Sequence, residues 1–136
     1  SKRDVFRYLG EQVSEVMAAA AREPGTAQER LHRVMRAAGQ WLEAHPDPAR
    51  QMVRARAFTL ADLGSPSQQR LQAALGEILT TGQQRGELRE VPVADAITAL
   101  QCGYFACVLT WAADPGGRPL TDRLRASLDI TLNGLA

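Results

Sequence analysis

The sequence predicts an all-α domain, and three observations predict it. Apolar residues recur at i, i+3, i+4 and i+7 through most of the chain, the period of one helix face, and no stretch alternates as a half-buried strand does. Helix start and stop signals follow one another at short intervals, with Thr26, Ser65 and Pro66 among the starts and Gly25, Gly64 and Gly86 among the stops. The run 96–113, AITALQCGYFACVLTWAA, holds no Lys, Arg, Asp or Glu. A helix of that composition is apolar all round and has to be covered all round.

The elements follow in order. Ser1 with Asp4 makes a weak capping pair, after which Val5, Leu9, Val13, Val16 and Met17 recur at helical spacing to about Arg22. Glu23-Pro24-Gly25 stops that helix. Thr26 and Glu29 open a second, with Leu31, Val34, Met35, Ala38, Trp41 and Leu42 on one face. His45-Pro46 ends it, because a residue before proline leaves the helical region. Asp47 is expected to cap a third helix with Pro48 in its first turn, carrying Met52, Val53, Phe58 and Leu60 and ending at Gly64. Ser65-Pro66 opens a fourth, with Leu71, Leu75, Ile78, Leu79 and Gly82 in register and Gly86 as its C′ residue. The uncharged helix is fifth. The loop 114–119, rich in Pro and Gly, precedes a sixth from about Leu120 with Leu124, Leu128, Thr131, Leu132 and Leu135. No repeat and no long linker divides the 136 residues, so a single domain spanning 1–136 is expected.

Composition excludes several functions. A net charge of +1 with 23% charged residues gives no overall basic signal for nucleic acid and no signature of disorder. Basic residues are almost all arginine, Lys2 being the only lysine, which together with many alanines associates with a GC-rich bacterial source. Cys102 and Cys107 point roughly 140° apart on one helix and cannot pair with each other. With no signal peptide in view, reduced thiols in a cytoplasmic protein are expected. A membrane span over 96–113 is disfavoured by Thr98, Gln101, Gly103 and Thr110 inside the run and by acidic flanks at Asp95 and Asp114.

Enzyme chemistry finds no support either. There is no glycine-rich phosphate loop, no cysteine pair at metal spacing and no serine-nucleophile motif. His32 and His45 stand about 20 Å apart along one helix and cannot share a metal. Glu11 and Glu15 lack the E-x-x-H partner of a di-iron site. No cofactor and no metal are expected. Arg30, Arg33 and Arg36 form a stripe that is either a solvated face or a contact for an anionic partner.

The uncharged helix divides into two sides. Ala96, Ala99, Gly103 and Ala106 form a small-residue strip on which another helix can approach closely. Ile97, Leu100, Gln101, Tyr104, Val108 and Trp111 lie mostly on other faces. Such a helix suits packing against a partner on one side and lining an interior on the other; the alternative is that both sides are simply the core of one chain. Buried polar atoms at Gln101, Tyr104 and Thr110 then need partners in neighbouring helices, water or a ligand.

The order of these features resembles a known family. Ser1-Lys2-Arg3-Asp4-Val5-Phe6 is similar to the start of the fourth helix of TetR-like transcriptional regulators. Gly86-Glu87-Leu88, the uncharged helix with Trp111, the Pro-Gly loop and a leucine-spaced helix ending Asn133-Gly134-Leu135 resemble the family's closing stretch. The resemblance implies that 93–114 and 120–135 are dimerisation helices forming a four-helix bundle about a two-fold axis. On that basis the homodimer contact is expected at Ala96, Ala99, Gly103, Ala106, Leu124, Leu128, Thr131 and Leu135. It also implies that the first four helices surround a small-molecule effector pocket, with 1–22 as the link to a DNA-binding head. Pocket candidates are Met17, Trp41, Met52, Phe58, Gln101, Tyr104 and Phe105, a mix of Met, aromatic and polar groups that suits an apolar or aromatic effector. The family's helix-turn-helix head lies before the first helix, so no residue here is expected to read operator DNA. The function expected of this chain is therefore dimerisation and effector binding for a repressor, or dimerisation alone as a helical interaction module.

Overall fold

The computed structural model describes residues 2–54 and 65–135. Among them are six helices: α1 (Lys2–Ala21), α2 (Ala27–Ala44), α3 (Pro46–Arg54), α4 (Pro66–Gln84), α5 (Val93–Ala113) and α6 (Leu120–Leu135). The described residues contain no strand, as the apolar period requires. Phe58, Leu60 and Gly64, expected to complete the third helix, lie outside the described residues.

Local chemistry sets most of the boundaries. At the start of α2 the Glu29 N–H donates to Thr26 Oγ1 at 3.2 Å, and the Thr26 N–H donates to Glu29 Oε1 at 3.1 Å. Two otherwise orphaned amides are satisfied at once. At the start of α4 the Gln68 N–H donates to Ser65 Oγ at 3.2 Å, with Pro66 inside the first turn. At its end Gly86 takes φ +73°, the Gly86 N–H donates to Gln83 O at 3.1 Å and the Glu87 N–H to Gly82 O at 2.8 Å. These are the paired bonds of a Schellman stop, which glycine at C′ makes possible.

The junction of α2 and α3 departs from expectation. Asp47 is not a cap, because α3 already begins at Pro46. His45 serves both helices: its N–H donates to Leu42 O and its carbonyl accepts from Ala49 N–H, each at 3.1 Å. Pro46 and Pro48 both fall in the first turn, where a missing N–H costs no helical bond and the fixed φ is already helical.

Helix α2 runs through the middle. Leu31, Val34 and Ala38 are fully buried against α1, α4 and α6. Ile78 and Leu79 of α4, with Leu120, Leu124, Leu128 and Leu132 of α6, complete one continuous core. Each large aliphatic side chain so buried contributes about 1.5–3 kcal/mol. Helix α5 packs on α6, α4 and α3, while α3 also reaches α1 and α2.

A polar seam joins α1 to α4. Gln68 Nε2 donates to Ser14 Oγ at 3.0 Å, Ser67 Oγ to Glu15 Oε1 at 3.2 Å, and Arg70 pairs with the same carboxylate. The arginine stripe is largely engaged within the chain. Arg30 Nη2 donates to Glu77 at 2.6 Å and to Ala21 O at 2.9 Å, and Arg33 Nη1 donates to Pro24 O at 2.5 Å. Of the three, Arg36 alone is exposed.

Candidate effector site and subunit face

The environment of α5 decides what each of its faces can do. Ala96, Leu100, Val108, Trp111 and Ala112 are buried, and Ile97, Tyr104 and Cys107 pack partly against the core. Thr98, Ala99, Cys102, Ala106, Leu109, Thr110 and Ala113 are exposed. At about 100° per residue these seven fall within one arc of roughly 120°, uncharged beyond Asp95, which is exposed on the same arc in the first turn. Helix α5 is long and apolar enough to cross a membrane by length and composition. Within this chain it is covered on one side and bare on the other, so one chain by itself does not cover it all round.

The small-residue strip splits between the two sides. Ala96 is buried in the chain's own core. A Cβ on Gly103 would stand 2.8 Å from Ser127 Oγ, so the close approach at Gly103 is between α5 and α6 of one chain. Ala99 and Ala106 lie in the bare arc. Leu124 and Leu128, expected at a subunit contact, are 2% and 3% exposed and belong to the core facing α2 and α5. Thr131 is half-buried and its hydroxyl donates to Ser127 O at 3.0 Å, while the side chain of Leu135 lies outside the described residues. Among the described residues the large apolar group that α6 offers outward is a different one, Ile130 at 74% exposure, one turn beyond Ser127. On α5 the corresponding residue is Leu109, 51% exposed. The bare arc is rotated by roughly 60° from the strip read by spacing, at about 100° per residue. Helical period identifies faces but not which of them the same chain already covers.

The expected pocket residues are distributed over four elements. Met17 of α1 is buried within the core cluster. Met52 of α3 is buried apart from that cluster. Trp41 of α2 is half-buried, and His45 stacks on it with ring centroids 4.2 Å apart. Gln101, Tyr104 and Phe105 of α5 are half-buried, with Tyr104 and Phe105 edge to face at 5.3 Å. Burial holds the Tyr104 phenol well above its ordinary pKa, because the phenolate would be poorly solvated there. Phe58 lies outside the described residues. Gln101, Tyr104, Val108 and Trp111 share one arc of α5, and the contacts α5 makes with α3 and α4 frame that side. Trp41 is tied by its described contacts to His45 and the core.

Sequence reasoning passed over Arg50 of α3. Its guanidinium carbon stands 4.8 Å from the centre of the Trp111 ring, and its Nε is buried with no hydrogen-bond partner. No local pattern could have marked it, since its partner lies on another helix 61 residues along (111 minus 50). A shallow open groove between the end of α4 and the start of α5 is lined by Thr80, Gln83, Gln84, Glu90, Val91 and Pro92. Gln83 Nε2 bridges to Val91 O at 2.8 Å there, which makes the groove a braced corner of the fold. Among the described residues no group of His, Cys, Asp or Glu is arranged to hold a metal ion.

Solved structures share this arrangement of helices. The chain superposes on a TetR family transcriptional regulator, PfmR, from Thermus thermophilus with a TM-score of 0.76 and 24% identity, covering 100% of this chain and 78% of that one. The chain has the TetR-like fold. A second structure, a chain assigned to the tetR family of transcription regulators from Shewanella, matches with a TM-score of 0.64 and 20% identity over 99% of this chain and 73% of that one. No family model matches the sequence. No curated protein matches it either. Within the TetR-like fold, both the bare arc of α5 and the Arg50–Trp111 pair are properties of this chain's own residues.

Proposed function

We propose that this chain is the effector-binding and dimerisation domain of a bacterial, cytoplasmic TetR-like transcriptional regulator that represses its target genes. The observation that carries the proposal is the arc of α5 from 98 to 113, uncharged and left bare within a TetR-like fold, with Ile130 exposed on α6, which packs beside it. An exposed apolar surface of that kind is costly in water and marks an interaction site. Two copies related by a two-fold axis cover each other's arc, in an isologous contact built from α5 and α6 of each chain. The contact includes Ala99, Cys102, Ala106, Leu109 and Ile130, with Gly103 supporting it from behind. This use of α5 needs no membrane, no cofactor and no catalysis.

The side of α5 with Gln101 and Tyr104, and with Phe105 at its edge, closes an effector site framed by α3 and α4, to which Met52 and, from α1, Met17 contribute apolar lining. The effector is a small molecule with a largely apolar or aromatic body. Operator DNA is contacted by a helix-turn-helix head outside this sequence, and α1 is the lever that couples the two. Two heads have to meet half-sites about 34–36 Å apart. An effector that binds better to a different separation lowers operator affinity, by no more than its differential affinity for the two states.

Sedimentation equilibrium at micromolar concentration tests the assembly: a dimer has twice the 14.8 kDa of the chain. Thermal melting with a panel of apolar and aromatic compounds tests the effector site. A monomer removes the subunit contact from the reading. A dimer whose melting no compound raises reduces the function to a helical interaction module.

A further inference from the structure

Among the described residues two arginines have a buried, unpartnered Nε, and their surroundings differ. Arg30 is compensated by the Glu77 carboxylate at 2.6 Å and the Ala21 carbonyl at 2.9 Å. Arg50 rests on the Trp111 ring, and no ion pair among the described residues includes it. Two carboxylates among the described residues are engaged elsewhere. Asp114, three residues past Trp111, meets Arg123 at 3.3 Å, and Glu43 accepts two hydrogen bonds from Thr121. Asp47, one turn before Arg50, is exposed. A ring face offsets part of the cost of desolvating a cation, but it cannot accept from a guanidinium Nε in its plane as an oxygen does. The arrangement is a half-buried guanidinium held against a ring, with its Nε buried and without an acceptor.

Its position gives that shortage a use. Trp111 shares one arc of α5 with Val108, Tyr104 and Gln101, the side assigned above to the effector. Seven residues separate Tyr104 from Trp111, about 10 Å along the helix. We propose, building on that effector site, that its ligand is an organic carboxylate whose acid group pairs with Arg50 and whose apolar body runs along α5 toward Tyr104 and Gln101. The guanidinium fork matches a carboxylate in plane, so the ligand supplies the acceptor that the chain does not.

Isothermal titration with octanoate and 1-octanol, which share an apolar chain and differ in the head group, tests this on the chain and on R50M and R50K. Octanoate is expected to bind roughly tenfold or more tighter than octanol. R50M is expected to erase that preference while keeping octanol binding, and R50K to keep part of it. Ligand-free R50M is expected to melt no lower than the parent chain, because it removes a half-buried guanidinium whose Nε has no acceptor; a merely structural arginine would lower the midpoint. Equal binding of acid and alcohol, or a preference that survives R50M, overturns the carboxylate assignment and leaves the effector site standing. Binding of neither probe overturns both.

Discussion

Glu43 closes the start of α6 from a different helix: its Oε1 accepts from the backbone N–H of Thr121 at 2.7 Å and from the Thr121 hydroxyl at 3.0 Å. Pro119 stands immediately before α6, where a Ser, Thr, Asp or Asn would cap it locally. A carboxylate brought in by α2 satisfies an orphan amide and meets the positive end of the helix. Replacing it by alanine is expected to cost about 1–2 kcal/mol, and E43Q to recover part of that through its amide oxygen. Urea midpoints of the two variants check this, and an E43A midpoint equal to the parent's contradicts it.

The glycines of the helices predict opposite outcomes. A Cβ on Gly39 would lie 2.8 Å from Thr121 Cγ2 and 3.2 Å from Thr121 Cα, so α2 and α6 would have to separate. G39A is expected to destabilise by about 1–3 kcal/mol. Gly10 of α1 has no atom within 4 Å of the added carbon. G10A is expected to stabilise by about 0.5–1 kcal/mol, since alanine restricts the unfolded chain and favours the helix. Thermal denaturation of both variants, side by side, reads the signs.

At the proposed subunit face, I130E and L109E are expected to convert a dimer into a monomer, because each would bury unpaired charge in an apolar contact. Both side chains are largely exposed within one chain. The monomer's own stability should therefore change by no more than about 0.5 kcal/mol, the usual range for surface sites. Sedimentation equilibrium of the two variants, with far-ultraviolet circular dichroism as a folding control, makes the check. A dimer that tolerates both charges would place the contact on another face.

The Arg30–Glu77 pair predicts a pH dependence. The hydrogen bond from Arg30 holds the Glu77 carboxyl below its ordinary range, against a smaller opposing effect of burial. A carboxyl depressed in the folded state adds stability that is fully present above the unfolded value of about 4.3 and is lost as pH falls through the folded value beneath it. Parent chain and E77Q are expected to differ in urea midpoint at neutral pH and to converge in acid. The gap should also shrink with salt, because the carboxylate is exposed. A gap that persists unchanged into acid would assign it to packing.

Most of the fold was legible in the residues because its determinants are local. Thr26 with Glu29, Ser65 with Pro66, and Gly86 each act within one turn, and each stands where the sequence places it. The junction at His45-Pro46 was misread by two residues because two prolines compete there for the first turn. The candidate site was legible only in part. Spacing could group Gln101, Tyr104, Val108 and Trp111 on one arc of α5. It could not find Arg50, whose partner is on another helix.

By itself the sequence determined six amphipathic or apolar helices, the local caps at Thr26, Ser65 and Gly86, and the presence in α5 of a surface too apolar for water. Period, turn chemistry and charge are properties of neighbours along the chain, so they survive without a structure. Tertiary structure alone decided which arc of α5 stays bare, that Leu124 and Leu128 face inward while Leu109 and Ile130 face outward, and that Arg50 rests on Trp111. Those outcomes depend on which helix lies across each face, and a helix covers a face only through residues distant in the chain.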